Sequence, residues 1–404
     1  MPSKKKTPRE VFTPNRTVSA DMFIDRKEVS MQGKVNVQKL LKNAIEDVGG
    51  QVVIYGDSGV GKSSLLEHVA EKCDVAALRL ECRSGQTFKE FLEENIANIA
   101  ETERTVTTEG VAKTKIVVEA GGAHKRERKY TVPLPSLLRT MLEALEKHDA
   151  QLLVLDNFQK MTDPKSRKMA FDFMEMLANL TSETDNKKIV IVGIAEDAQS
   201  LFGGDISLPR RTKQVGVPRM PLEEIREILY TGFGLLELTV DKQIIEEVVF
   251  YADGFPFFAH GLGLNIALEA KENKVTVIGP SSPFLSNALS IAMIDAEQPL
   301  KRSVELAVKG FGNNIVGHKR WREFIDILAN SEWSDWTSHD VIGAYTKTHG
   351  PLKDSRVVYK VLNLLATDDR FGEVLQREKA EHQLYRYRFS NPYFRTLLRI
   401  NARK

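Results

Sequence analysis

The 404-residue sequence lacks any run of eighteen apolar residues, so no stretch of it is long and apolar enough to be read as a membrane-crossing helix. Its first residues, MPSKKKTPREVFTPNR, lack the apolar core of a secretory leader. Membrane insertion and secretion are therefore not expected, and the cytoplasm is the expected compartment. Cysteine is scarce: Cys73 and Cys82 stand nine positions apart, with no cluster of histidines or cysteines nearby. That argues against a disulfide scaffold or a zinc-type ligand set and leaves buried thiols as the simpler reading. A surplus of one charge is missing too, because 57 Lys and Arg face 55 Asp and Glu. The net charge of +2 points to no partner by itself, so local bias has to be read instead. What remains, 42% hydrophobic and 28% charged, is the composition of a globular chain with room for two or three domains.

A further lack shows at finer scale. Residues 152–159 read LVLDNFQK, an apolar run ending in Asp156 and Asn157, where a nucleotide hydrolase usually carries a second carboxylate to activate water. The observation has force because of QVVIYGDSGVGKSSLLEHVA upstream, in which Gly56, Gly61, Lys62 and Ser63 fit the G-x-x-x-x-G-K-[ST] phosphate-binding loop. An apolar strand precedes the loop and an amphipathic helix follows it. Backbone N–H groups across Ser58, Gly59, Val60, Gly61, Lys62, Ser63 and Ser64 are expected to close around phosphate oxygens at a helix N-terminus, with Lys62 adding a fixed charge. The Ser63 hydroxyl is expected on Mg²⁺, opposite Asp156 at the end of its strand, so ATP and Mg²⁺ are the expected ligands. Asn157 can orient a water through its amide but has no capacity as a base. Glu196, after the next strand, is either a group that reaches the γ-phosphate through water or an acid at a helix N-terminus.

Four segments follow from composition and periodicity. Residues 1–20 carry Lys4, Lys5, Lys6, Arg9 and Arg16 against Glu10 and read as a flexible basic tail, either a solubilising end or a nucleic-acid arm. Over 21–220, the apolar runs VVIY, VAALRL, LLVLD and IVIVGI alternate with helical patterns, which predicts an α/β fold with a parallel sheet covered on both faces. An insertion at about 104–132 reads as a hairpin with the tip HKRERK, which either touches nucleic acid or a partner or guards a sheet edge. Residues 221–300 are helical throughout, a small lid with stripes such as Leu222, Ile225, Ile228 and Leu229. Residues 301–404 show three striped helices, the second after a Ser338 cap, then EVLQR and LYRYRF, the order of a winged helix. Arg356, Lys360, Arg377, Lys379, Arg386 and Arg388 on its third helix and wing are candidate nucleic-acid contacts.

Taken in order, GDSGVGKSS, the strand ending in Asp156, IVIVGIAEDA, SLPRRTKQVGVPRMPLEEIREIL and ADGFPFFAHGLG resemble AAA+ and STAND-type P-loop ATPases over roughly residues 21–300. The resemblance is to the branch that joins replication-initiator-like ATPases with transposition regulators. It implies an AAA+ core, a helical lid, ATP hydrolysis and homo-oligomer formation on ATP binding. DMFIDRKEV resembles the F-x-G-R-x-x-E element over the adenine, with Asp25 in place of the glycine, and so implies base contacts from Phe23 and Arg26. GFP at 254–256 resembles the G-x-P motif of STAND lids, which implies Pro256 near the base. Arg210 and Arg211 stand where such families carry an arginine finger, the alternative being a surface pair, while Arg219 is assigned to the closing strand of the sheet. The catalytic set so implied is Lys62, Asp156 and Asn157 with Arg210 or Arg211 from a neighbour, and hydrolysis is expected to be slow and conditional on assembly. Two classes of function are open: a DNA-associated regulator that recruits a separate effector protein, and a signalling or defence switch whose winged helix makes protein contacts.

Overall fold

The computed structural model describes residues 6–27, 31, 35–95, 134–180, 186–203, 211–310, 318–331, 333, 335–379 and 385–403. The expected hairpin at about 104–132 and Arg210 lie outside the described residues. The chain divides into two compact units, one made of Asp25–Asp57 and Gly61–Pro218, the other of Met1–Ile24, Ser58–Val60 and Arg219–Lys404.

The first unit is built on five parallel strands, β1 (Gln51–Gly56), β2 (Ala77–Glu81), β3 (Leu152–Asp156), β4 (Lys188–Ile194) and β5 (Thr212–Gly216), in the spatial order β2-β3-β4-β1-β5. The expected α/β core with a parallel sheet is thereby in place. The inner strands are buried nearly end to end, as parallel strands covered on both faces must be, whereas edge strand β2 is largely exposed. Val53, Leu153, Leu155, Ile189 and Ile191 meet Phe88, Phe91 and Phe173 in one apolar cluster. Arg219 does not belong to the closing strand: β5 ends at Gly216, and Arg219 opens the other unit. Its side chain instead bonds Asp253 at 2.6 Å and lies over the Phe255 ring.

The second unit is mainly helical and joins the stretch read as a lid to the last hundred residues. Ile225, Ile228, Leu229, Ile244, Ile245, Val248 and Val249 are buried, while Leu222 at the first turn is exposed. The segment read as a flexible tail is partly ordered: Pro8–Val11 is a helix and Phe12 is 1% exposed. A Cβ at Gly232 or Gly263 would come within 2.4 and 2.6 Å of the Phe12 ring, so these two glycines form its socket. His260 closes it, accepting the Thr13 N–H on Nδ1 at 3.1 Å, and burial pushes this imidazole down to about 4. One aromatic in a charged stretch had been enough to anchor what composition marked as solvated.

Two short parallel strands, β6 (Thr239–Val240) and β7 (Val277–Ile278), also belong to this unit. The C-terminal part runs helix His318–Asn330, β8 (Trp336–Thr337), helix Ser338–His349, helix Arg356–Thr367, β9 (Leu375–Lys379), β10 (Tyr385–Phe389) and helix Phe394–Ala402, with an antiparallel sheet in the order β8-β10-β9. The cap of the second helix is Thr337, not Ser338: its hydroxyl and Asp340 form a reciprocal capping box.

Candidate nucleotide site

At the C-terminal end of β1 the chain turns through Gly56, whose φ is +143° and whose Cβ, if it had one, would lie 2.3 Å from the Val217 carbonyl oxygen. Gly61, at φ +91°, is the N-cap of the helix Lys62–Lys72. That cap has no side chain and the first turn has no acid, a helix start that favours an anion from outside. Lys62 is buried, with Nζ donating to the carbonyls of Gly56 (3.0 Å) and Asp57 (2.7 Å). Desolvation pushes this amine down to about 8, against the pull of Asp57 and Asp156. One helical residue on, Ser63 Oγ donates to Asp156 Oδ2 at 3.2 Å, and Ser64 lies half-buried on the same turn.

Two hard oxygens at that separation suit one Mg²⁺, whose other positions would fall to water and phosphate. Among the described residues, no group of three or more His, Cys, Asp or Glu forms a separate metal site.

Asn157 has a backbone reason to be an asparagine. Its φ of +57° and ψ of 36° are left-handed, a conformation asparagine accepts more readily than glutamate. Its N–H turns back to Asp156 Oδ1 at 2.8 Å, and its side-chain amide donates to Glu81 Oε1 at 3.0 Å. Lys160 Nζ reaches the same oxygen at 3.1 Å. Two β2 residues thus enter the site that the motifs did not name. Arg79 stands 3.6 Å from Asp156 Oδ2 and 3.4 Å from the Ser63 carbonyl, and Glu81 lies at the register position of Asp156. The signal for them was faint: two charged residues alternating with apolar ones at the end of an exposed strand.

The remaining candidates are spread out. Arg211 lies at the N-terminal end of the sheet, its guanidinium on the Ala178 carbonyl at 2.6 Å and its own carbonyl accepting the Gln51 N–H. Arg26 is 3% exposed and donates to the Pro218 carbonyl at 3.0 Å. Glu196 is exposed, while its neighbour Asp197 caps Ser200 at 2.8 Å. In the helical unit, Phe23 is half-buried and Pro256 is the first residue of the helix Pro256–Glu272. The loop tip Ser58–Val60 is grouped with that unit, where the Gly59 carbonyl accepts the Phe257 N–H at 3.3 Å and Val60 is buried.

Of the basic residues in the C-terminal part, Arg356 pairs with Asp354 at 3.0 Å, Arg386 with Asp335 at 3.1 Å and Arg388 with Glu378 at 2.6 Å. Arg377 bonds Asn363 and lies over the Tyr385 ring, while Lys360 and Lys379 are exposed.

Residues 46–202 match the AAA domain family. Over this stretch the chain is similar to AAA domains. Solved structures similar to the chain include the Walker-type ATPase Paby2304 of Pyrococcus abyssi, 17% identical over 94% of this chain and 99% of that one, with a TM-score of 0.47. The RuvB Holliday junction branch migration motor of Thermotoga maritima is 13% identical over 76% of this chain and 89% of its own, with a TM-score of 0.40. No curated protein matches the chain. The domain match supports nucleotide binding and ATPase activity in general. No helix among the described residues is long and apolar enough to cross a membrane.

Proposed function

We propose that the chain is a Mg²⁺-dependent ATPase that works as a nucleotide-driven switch on a separate partner protein. The observation that carries this reading is the placement of Lys62, Ser63 and Asp156 around one loop mouth, with Ser63 Oγ 3.2 Å from the Asp156 carboxylate. Lys62 and the amides of the helix start would hold the phosphates, and Ser63 and Asp156 would hold Mg²⁺. Bound there, Mg²⁺ would supply positive charge against the negative charge of the transferring group. Turnover is slow and rises with assembly, because an arginine finger, from Arg210 or Arg211, has to come from a second copy. Phe23, Arg26 and Pro256 remain proposals for the adenine end.

The C-terminal part is read as a winged helix, which the order helix, strand, two helices and two strands supports. Protein contact is favoured for it because three of its six candidate basic residues are already neutralised by neighbouring carboxylates. The second reading, DNA association by a homo-oligomer, rests on the exposed Lys360 and Lys379. Fluorescent-nucleotide binding and phosphate release, for wild type and Lys62→Ala across protein concentration, test the first reading. Binding lost in the variant and specific activity that rises with concentration are expected; equal nucleotide affinity in both proteins would overturn it. For DNA, affinity at low salt should fall steeply as salt rises, and no measurable affinity with or without ATP removes that reading.

A further inference from the structure

The residue at which a hydrolase normally carries its second carboxylate is Asn157, but a carboxylate is hydrogen-bonded to that very side chain. Glu81 ends β2, the strand beside β3, and pairs in register with Asp156. Residues two apart on a strand share a face. Arg79 and Glu81 therefore share one, and Arg79 already reaches both Asp156 and the Ser63 carbonyl from it. Glu81, two residues nearer the C-terminal edge of the sheet, lies on the side where the phosphate loop opens. Its hold is specific: Asn157 Nδ2 at 3.0 Å and Lys160 Nζ at 3.1 Å both bond Oε1. Among the described residues the other oxygen takes no hydrogen bond, and the side chain is 63% exposed.

We infer that Glu81 is the general base of ATP hydrolysis, with Asn157 and Lys160 as the residues that position it. Carboxylate and amide have in effect exchanged places between neighbouring strands. The left-handed turn at Asn157 fits this arrangement, because it disfavours the longer glutamate there while bringing the amide to β2.

In the step, the water oxygen bonds to the γ-phosphorus and the bond from phosphorus to the β,γ-bridging oxygen breaks. The electron pair of that bond leaves with ADP, and the water proton passes to the Glu81 carboxylate and then to solvent. The Lys160 hydrogen bond, foremost, holds Glu81 below the usual carboxylate range, so it is ionised at neutral pH. A weak base suffices, because a loose phosphoryl-transfer transition state demands orientation of the water more than early removal of its proton.

The inference rests on the ATPase reading, and the experiment separates the two. Full-length wild type, Glu81→Gln, Glu196→Gln and Asn157→Asp are compared for phosphate release at saturating MgATP, for binding of a fluorescent ATP analogue and for thermal midpoint. Glu81→Gln should lose about 100-fold in kcat, the lower end of what a positioned base contributes, with nucleotide affinity and midpoint held. Glu196→Gln should stay near wild type. Asn157→Asp should slow turnover, because it replaces a donor to Glu81 by a third carboxylate beside Glu81 and Asp156. If wild type hydrolyses ATP and Glu81→Gln stays within about threefold of it, or if Glu196→Gln takes the large loss, the inference is wrong while the ATPase reading stands. If wild type binds the analogue but releases no phosphate, the ATPase reading itself fails and takes the inference with it.

Discussion

The two ends of the parallel sheet each bury a lysine in the same way. Lys62 at the C-terminal end gives its ammonium to the carbonyls of Gly56 and Asp57; Lys188 at the N-terminal end gives its own to those of Asp47 and Gly50. Desolvation is the main cause that pushes both down to about 8. A shifted lysine in a cradle of carbonyls is therefore not a site by itself. Around Lys62 stand a side-chain-free helix cap, a hydroxyl and Asp156, whereas Lys188 is fully buried with Asp47 and Lys213 as its nearest charges. One lysine is held ready for an anion from outside; the other ties β4 to the loop before β1.

The sharpest way to break this contrast is to remove each amine. Lys62→Ala should weaken nucleotide binding by more than about 100-fold while the thermal midpoint hardly moves, because its loss opens the half-buried Asp57 carbonyl to water. Lys188→Met should leave nucleotide affinity unchanged but cost about 2 kcal/mol, because the buried Gly50 carbonyl loses its donor. Binding titrations and denaturant melts on both variants decide it, and a Lys188→Met protein with weakened nucleotide binding would erase the distinction. Asp156→Asn belongs to the same end: it should cut kcat at least tenfold and raise the Mg²⁺ concentration needed for half-maximal rate, since a neutral amide replaces the carboxylate bonded to Ser63.

Titration sharpens the comparison further. Both amines lose their proton near pH 8 in the folded chain and near 10.5 in the unfolded one. Between those values the unfolded chain binds more protons, so each lysine makes stability rise with pH across that window. Nucleotide affinity runs the other way at Lys62: from pH 7 to 9 it should fall by up to about tenfold, as the ammonium that meets phosphate is lost. Lys188→Met should keep that fall in affinity and lose part of the rise in stability, read from binding and urea melts at matched pH values.

How much of this was legible in the sequence follows from where the information lay. The glycines, Lys62, Ser63 and Asp156 were, because a phosphate loop fixes residue types at fixed spacing and four strands were long apolar runs. Glu81 was not, because its neighbour in the site is Asn157, 76 positions along the chain, and only strand pairing brings them together. Arg219 was misplaced for the same reason in reverse: proximity in sequence to β5 suggested membership, but its partner is Asp253. Phe12 escaped notice because charge density around it outweighed a single aromatic, whereas the two glycines that receive it stand more than 200 positions away.

Arg79 offers the smallest expected effect and the closest test of what the C-terminal sheet edge is tuned for. Its guanidinium sits 3.6 Å from the Asp156 oxygen that also takes the Ser63 proton, and its side chain is about a third exposed. A partly exposed ion pair of this length is worth at most about 1 kcal/mol. Yet it opposes Mg²⁺ directly, because the cation and the guanidinium seek the same carboxylate. Arg79→Met keeps the apolar stem along β2 and removes that competitor, so the Mg²⁺ concentration for half-maximal hydrolysis should drop by about two- to fivefold. A rise instead would mean that Arg79 holds Asp156 in the orientation the metal requires, and the charge at this edge would then assist the metal rather than restrain it.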